Sequence, residues 1–366
     1  MNREDDQSPP PASPQPHEAP TVPPVAGAEQ EPPQAPGASP AGATAPRRRR
    51  GPRPVPPGVE YHRVLAREKR GIWRGIAALT LLMVGMLVFA FGFAFLGMFV
   101  DLALGRPGPM NGGGFTPVAM AASLLGLVLL LPWSMLVQRW LYGVRGASLH
   151  SVRSLFRMEV FGRSLLVVLP IWTVYLTVFT LFTPYPTTAW AAADLIAMFG
   201  IVVLLAPLQS AGEEYGFRGL AFRVAASWGR GPRTALVLGV VVSSLLFMVA
   251  HLALDPWLNL YYFVFGATLA LITWRTGGLE LAVVVHAVNN TLAFLLSLTM
   301  HTDFEEGMER TVGAGSAVML LPCVLLVGIT AVVWFRTRDT GPATTPAEHH
   351  SEPTATSEPA RGTEPR

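Results

Sequence analysis

The sequence has one cysteine, one lysine and little charge of either sign. Asp, Glu, Lys and Arg make up 14% of its 366 residues, against roughly 25% in a soluble globular chain. That excludes an ordinary cytosolic enzyme and indicates a membrane protein. Cys323 has no partner for an intrachain disulfide, so pairing says nothing about the compartment. Thiol catalysis has this single candidate, inside an apolar run. Lys69 is the only lysine, and the arginine bias with abundant Ala, Gly and Pro points to a GC-rich bacterial genome. Also missing is the His-Glu-x-x-His of zinc hydrolases. Gly313-Ala314-Gly315-Ser316-Ala317 fails the spacing of a serine nucleophile elbow. An aspartyl pair is lacking too, because Asp194, near the start of its span, reads as a lone interfacial charge.

Long hydrophobic runs are what the sequence does have. Eight apolar stretches, near 75–99, 117–138, 164–183, 188–212, 234–254, 257–275, 279–300 and 316–335, each approach the ~20 residues a helix needs to cross a bilayer. The fold class predicted is therefore all-α: a polytopic integral membrane protein of about eight transmembrane helices. Seventeen of the 33 prolines fall in the first 58 residues. Residues 1–60 bury too little apolar surface to offset chain entropy and read as a disordered, Pro-rich basic tail. A membrane domain is expected over 61–338, and 339–366 reads as a second disordered, polar tail. The run Arg47 to Arg50 is expected to be a charge anchor before the first span, with no nucleic-acid partner. No signal peptide is read, because the first apolar run starts beyond residue 70 and exceeds the length of an h-region.

Basic residues mark every second connection: Arg63 to Arg74, Arg139 to Arg163, Arg218 to Arg233, then Arg275, Arg336 and Arg338. By the positive-inside rule both termini are cytoplasmic, in what would be a bacterial inner membrane. Segment 150–163 mixes Leu155, Phe156, Val160 and Phe161 with arginines and predicts an interfacial amphipathic helix.

Ionisable groups inside a span cost about 2.5–3.5 kcal/mol on insertion scales and are functional candidates by default. Glu213, Glu214, Arg218, His251 and His286 qualify, with Asn289 and Asn290 as uncharged companions. In Glu213-Glu214-Tyr215-Gly216-Phe217-Arg218, the arginine is i+4 from Glu214, an ion-pair spacing, while Glu213 points about 100° away and is free for chemistry. Phe247 shares a helix face with His251, and His286 shares one with Asn290. With the turn centred at Gly231, Glu213 lies 18 residues before it and His251 lies 20 after, so an antiparallel hairpin brings them to similar depth. For His286 to join them, that hairpin must protrude into the cytoplasm by about a third of its length.

Glu-Glu-x-x-x-Arg, Phe-x-x-x-His and His-x-x-x-Asn, in that order on successive helices over roughly 188–300, resemble the CAAX prenyl protease type II family, also called the CPBP or Abi family of intramembrane proteases. The resemblance implies a hydrolase acting in proteolysis at the membrane. It places the catalytic glutamate on Glu213, the histidines on His251 and His286, and the asparagine on Asn290, with Glu214, Arg218 and Phe247 in support. The residues are suited to that chemistry: Glu213 with His251 to deprotonate a water, His286 and Asn290 to donate to an oxyanion. No cofactor is expected. A zinc alternative would use Glu213, His251 and His286. The expected partners are the lipid bilayer and a membrane-embedded protein or peptide substrate. The alternative functions are a transporter using the same groups as a proton relay and a non-proteolytic scaffold or immunity protein with a protease-like fold.

The alternation of basic connections generates one direct test. Reporter fusions after Arg145 and after Glu306 are expected to report opposite sides of the membrane. The same side for both would invalidate the span count.

Overall fold

The computed structural model describes residues 51–67, 71–183 and 186–347. The Arg47–Arg50 run, Lys69, Arg70 and the tails 1–50 and 348–366 lie outside them. The described residues form an all-helical polytopic membrane protein, with four isolated backbone bridges and no strand. Its helices are α1 (Ile72–Ala103), α2 (Pro117–Val128), α3 (Leu130–Tyr142), α4 (Met158–Phe182), α5 (Ala192–Glu214), α6 (Phe222–Ala226), α7 (Pro232–Ala250), α8 (Pro256–Thr276), α9 (Glu280–Thr299), the short α10 (Phe304–Gly307) and α11 (Leu320–Thr337). Taken as continuous rods, eight are long and apolar enough to cross a membrane. Their ends follow local rules. Thr116 and Asp255 accept backbone N–H groups at the starts of α2 and α8, each followed by proline. Gly143 and Gly277 close α3 and α8 in the left-handed conformation.

Two rows of helices build the domain. In one, α1 packs on α2, α2 on α5, α5 on α9 and α9 on α4; in the other, α6 packs on α7, α7 on α8 and α8 on α11. The rod that begins as α5 belongs to both. It runs from Ala192 to Ala226, passing through a π-helical stretch at Tyr215–Ala221. At ~1.5 Å per residue it is roughly 50 Å long, well beyond a ~30 Å hydrocarbon core. Its outer third is fully packed: every residue from Tyr215 to Ala226 is buried. Lipid-facing side chains lie on the outer helices, as in Leu166, Val174 and Val324.

The arginine pattern needs correction on this point. Arg218 and Arg223 mark a connection in the sequence, yet both lie within the long rod and are fully buried. Arg223 is held by Ser148, whose carbonyl accepts from Nη2 at 2.7 Å and whose hydroxyl accepts from Nη1 at 3.1 Å; its guanidinium lies 3.8 Å over the Tyr61 ring. Charges that partner inside the protein need no aqueous loop. Segment 150–157 also departs from expectation, being turns rather than helix; α4 starts at Met158. The cause is tertiary pairing. Val152 N–H donates to Gly277 O, Leu279 N–H to His150 O, and Arg157 makes a forked pair with Glu280 at 2.8 and 2.6 Å.

Residues on either side of 61–338 pair with one another. Gly58 N–H donates to Thr345 O at 3.1 Å, Val59 N–H to Thr345 Oγ1 at 3.0 Å, and Thr345 N–H to Val59 O at 2.8 Å. Tyr61 donates to Leu149 O at 2.6 Å, and Trp274 Nε1 donates to Glu60 at 2.8 Å. The two chain segments thus form a strap across the arginine-rich end of the bundle.

Within that strap His62 is fully buried and stacked on Phe222, with Nδ1 3.5 Å from Glu60 Oε2. Burial pushes its pKa down from 6.5 to about 4. Between those values the unfolded chain binds the proton that the folded one refuses, so stability is complete above pH 6.5 and falls as the pH drops toward 4. The thermal midpoint of purified protein in detergent is expected to fall over that window. His62→Phe should remove up to about 3 kcal/mol of the pH dependence; an unchanged slope would refute the assignment.

Candidate active site

Glu213 and Glu214 are the last two residues of α5, immediately before the backbone changes to π geometry. Such stretches are rare and cluster at functional sites. Glu214 is fully buried and its Oε1 is a shared point, 2.7 Å from Arg218 Nη2 and 2.6 Å from His286 Nδ1. Arg218 pairs with it by charge rather than by an aligned hydrogen bond, and its guanidinium lies 4.1 Å over the ring of Phe247. The other face of the imidazole meets Glu213: His286 Nε2 is 3.3 Å from Glu213 Oε2. His286 is therefore clasped between the two carboxyl groups.

Proton positions follow from this geometry. A ring nitrogen 2.6 Å from a carboxylate oxygen donates, so His286 Nδ1–H points to Glu214. Contact between Nε2 and Glu213 is attractive only with a second proton between them, carried as a carboxylic acid or as imidazolium. The charge count agrees. Two carboxylates and one guanidinium leave one excess negative charge in a buried site, which is costly, and one proton between Glu213 and His286 would neutralise it.

His251 lies on the far side of Phe247, whose ring centroid is 4.5 Å from that of His251 and 5.9 Å from that of His286. It is the first residue past α7, where Leu252 turns the chain with φ 52°, a conformation that costs a non-glycine residue roughly 1–2 kcal/mol. Its Nδ1 is 2.8 Å from Phe247 O, so Nδ1–H donates there and Nε2 keeps its lone pair. The ring stacks on Tyr262 at 3.8 Å. The sequence places Glu213 and His251 on one water; the structure adds a direct pairing of Glu213 with His286. The turn after Ala250 sets the His251 ring against Tyr262 of α8.

Asn290 donates through Nδ2 to Oε1 of Gln209 at 3.2 Å, one turn before Glu213. Its Oδ1 accepts from Asn289 at 3.1 Å, and Asn289 in turn accepts from Trp172 Nε1 at 3.1 Å. Gln209, Trp172 and Tyr262 escape a motif reading. Gln209 alone had a signal, a polar amide at i−4 from Glu213 in an apolar run. The remaining candidates lie apart. Cys323 is buried in α11, and Asp194 pairs with Arg106 at 2.8 Å near the start of α5. Both His286 nitrogens face carboxyl groups. Among the described residues no group of three or more His, Cys, Asp and Glu side chains could hold a metal ion.

Residues 192–292 match the family described as Rce1-like, type II CAAX prenyl endopeptidase. That bears out the resemblance carried by the motifs, all of which lie inside the matched segment. The uncharacterized protein YyaK of Bacillus subtilis (strain 168) is 30% identical over 113 residues, covering 29% of this chain and 36% of that relative. The match thus spans about a third of the relative's length. No solved structure matches.

Gly212 sets where this constellation sits. A Cβ at this position would lie 2.2 Å from the carbonyl oxygen of Leu127, a backbone atom that cannot swing away. Gly212→Ala is expected to force α5 from α2 and cost about 1–3 kcal/mol, as overpacking does. Gly200→Ala, on the same helix with nothing within 4 Å, should cost nothing. Equal thermal midpoints for the two variants would show that the close approach is not a constraint.

Proposed function

We propose that this membrane domain is an intramembrane endopeptidase that hydrolyses a peptide bond of a membrane-associated protein or peptide. The observation that carries the reading is the buried cluster in which His286 lies 3.3 Å from Glu213 and 2.6 Å from Glu214, with Arg218 2.7 Å from Glu214. Peptide hydrolysis needs a group that takes a proton from water and later returns it to the leaving amine. A carboxyl and an imidazole holding one mobile proton do both.

Glu213 accepts a proton from water as the water oxygen adds to the carbonyl carbon of the substrate. The resting proton sits on His286, anchored by Glu214, which leaves Glu213 as the carboxylate that takes the proton from water and later returns it. His251 presents its Nε2 lone pair and orients the water. Asn290 spends one N–H on Gln209 and has a second for the oxyanion. Collapse of the tetrahedral intermediate breaks the C–N bond, and the proton returns to the nitrogen. Arg218 and Phe247 are positioning residues, the first holding Glu214 and the second spacing the two histidines. This assignment moves His286 from oxyanion donor to proton carrier, since both its nitrogens are already engaged by carboxyl groups. The Rce1-like match over 192–292 supports the reaction class.

Glu213→Gln keeps shape while removing the carboxylate. Mass spectrometry of new protein termini in membranes should show a set present with the wild type and reduced by about 10²–10⁴-fold in the variant. Asn290→Ala is expected to lose about 10²–10³-fold. Activity should survive excess chelator, and loss with recovery on adding zinc would install the metal mechanism instead. No Glu213-dependent terminus, with proton-coupled uptake abolished by the same variant, would replace the protease by a transporter.

A further inference from the structure

A cavity of about 320 Å³ adjoins the constellation. Its floor includes Tyr262, which stacks on His251, and Asn289, which donates to Asn290. Tyr175, Leu176 and Tyr261 contribute apolar and aromatic wall, and Glu306 and Arg310 stand at the rim. That rim is the connection between α9 and α11, at the bundle end away from the arginine-rich connections. The connection is tied to the turn that carries His251: Leu254 N–H donates to Arg310 O at 2.8 Å, and Gly313 N–H donates to Asp255 Oδ2 at 2.9 Å. From the opposite end the cluster is sealed. Phe217, Leu220, Ala221 and Val224 are fully buried beneath it, followed by the layer of Arg223, Tyr61 and Ser148.

Resting on the proteolytic reading, we infer that the substrate enters through this cavity, as an extended peptide segment with apolar side chains presented at the face of the 300–316 connection. A pocket of this size, with aromatic and aliphatic wall beside Asn289 and the rim charges, has the character of a binding site. Its wall reaches the groups that would handle water and oxyanion through direct neighbours, Tyr262 stacked on His251 and Asn289 bonded to Asn290. Arginine-rich connections are cytoplasmic by the positive-inside rule. The cleaved segment therefore lies on the extracytoplasmic side, beside a membrane anchor, and is not a cytoplasmic chain end.

Two measurements test this, one independent of activity. With Cys323→Ser as background, Ala293→Cys and, separately, Tyr175→Cys place a thiol on the cavity wall. Gly307→Cys and Arg230→Cys mark the two faces. A membrane-impermeant sulfonated maleimide applied to intact cells and to inverted vesicles should label the wall cysteines from the same side as Gly307→Cys. Adding Ala314→Trp at the rim should slow that labelling at least ten-fold. Labelling from the Arg230→Cys side, or a rate indifferent to Ala314→Trp, overturns the entry route. The second measurement maps Glu213-dependent termini, which should fall on the Gly307→Cys side; termini on the other side overturn the substrate assignment. Absence of any Glu213-dependent terminus removes the proteolytic reading and the substrate class with it, while labelling still decides where the cavity opens.

Discussion

Two carboxyl groups side by side in a buried helix are tolerable only if something cancels their charge. Glu214 is answered by Arg218 one turn later and by His286 from α9. Glu213 is answered by the same imidazole through its other nitrogen. Much of the bundle serves this arrangement. The α5 rod must come within backbone distance of α2 to place the pair, α9 must bring His286 to its level, and Phe247 must roof the guanidinium. Leaving any one of these charges unanswered in the interior would cost about 3–5 kcal/mol. The cluster is thus a condition on how the helices pack.

The number, order and approximate limits of the spans were legible because hydrophobic length is a direct physical requirement of the bilayer. The candidate site was legible for a related reason. Charged and amide groups are so expensive in a span that Glu213, His251, His286 and Asn290 stand out without any comparison. The i+4 spacing of Glu214 and Arg218 was likewise readable as an ion pair, since helix geometry alone sets it.

What stayed hidden depends on contacts between distant segments. Nothing in the local pattern distinguishes an arginine in a cytoplasmic loop from one buried at the end of a long rod, so Arg218 and Arg223 were counted as loop charge. The π stretch at Tyr215–Ala221 has no hydrophobic period of its own. The direct pairing of His286 with Glu213 is a contact between α9 and α5, and the motif does not encode it. Gln209, Trp172 and Tyr262 carry no motif at all; each is identified by what it touches.

The strap at the arginine-rich end bears on the order of assembly. Its two sides, around Val59 and Thr345, are separated by 286 residues. On a ribosome the first side emerges before any span, and its partner only after α11. Closing so long a loop carries a large entropic penalty when little else is formed, but the penalty shrinks once the spans have packed and brought the segments near. The strap is consequently a late contact in synthesis, a clasp whose fastening reports that all eight rods are in place.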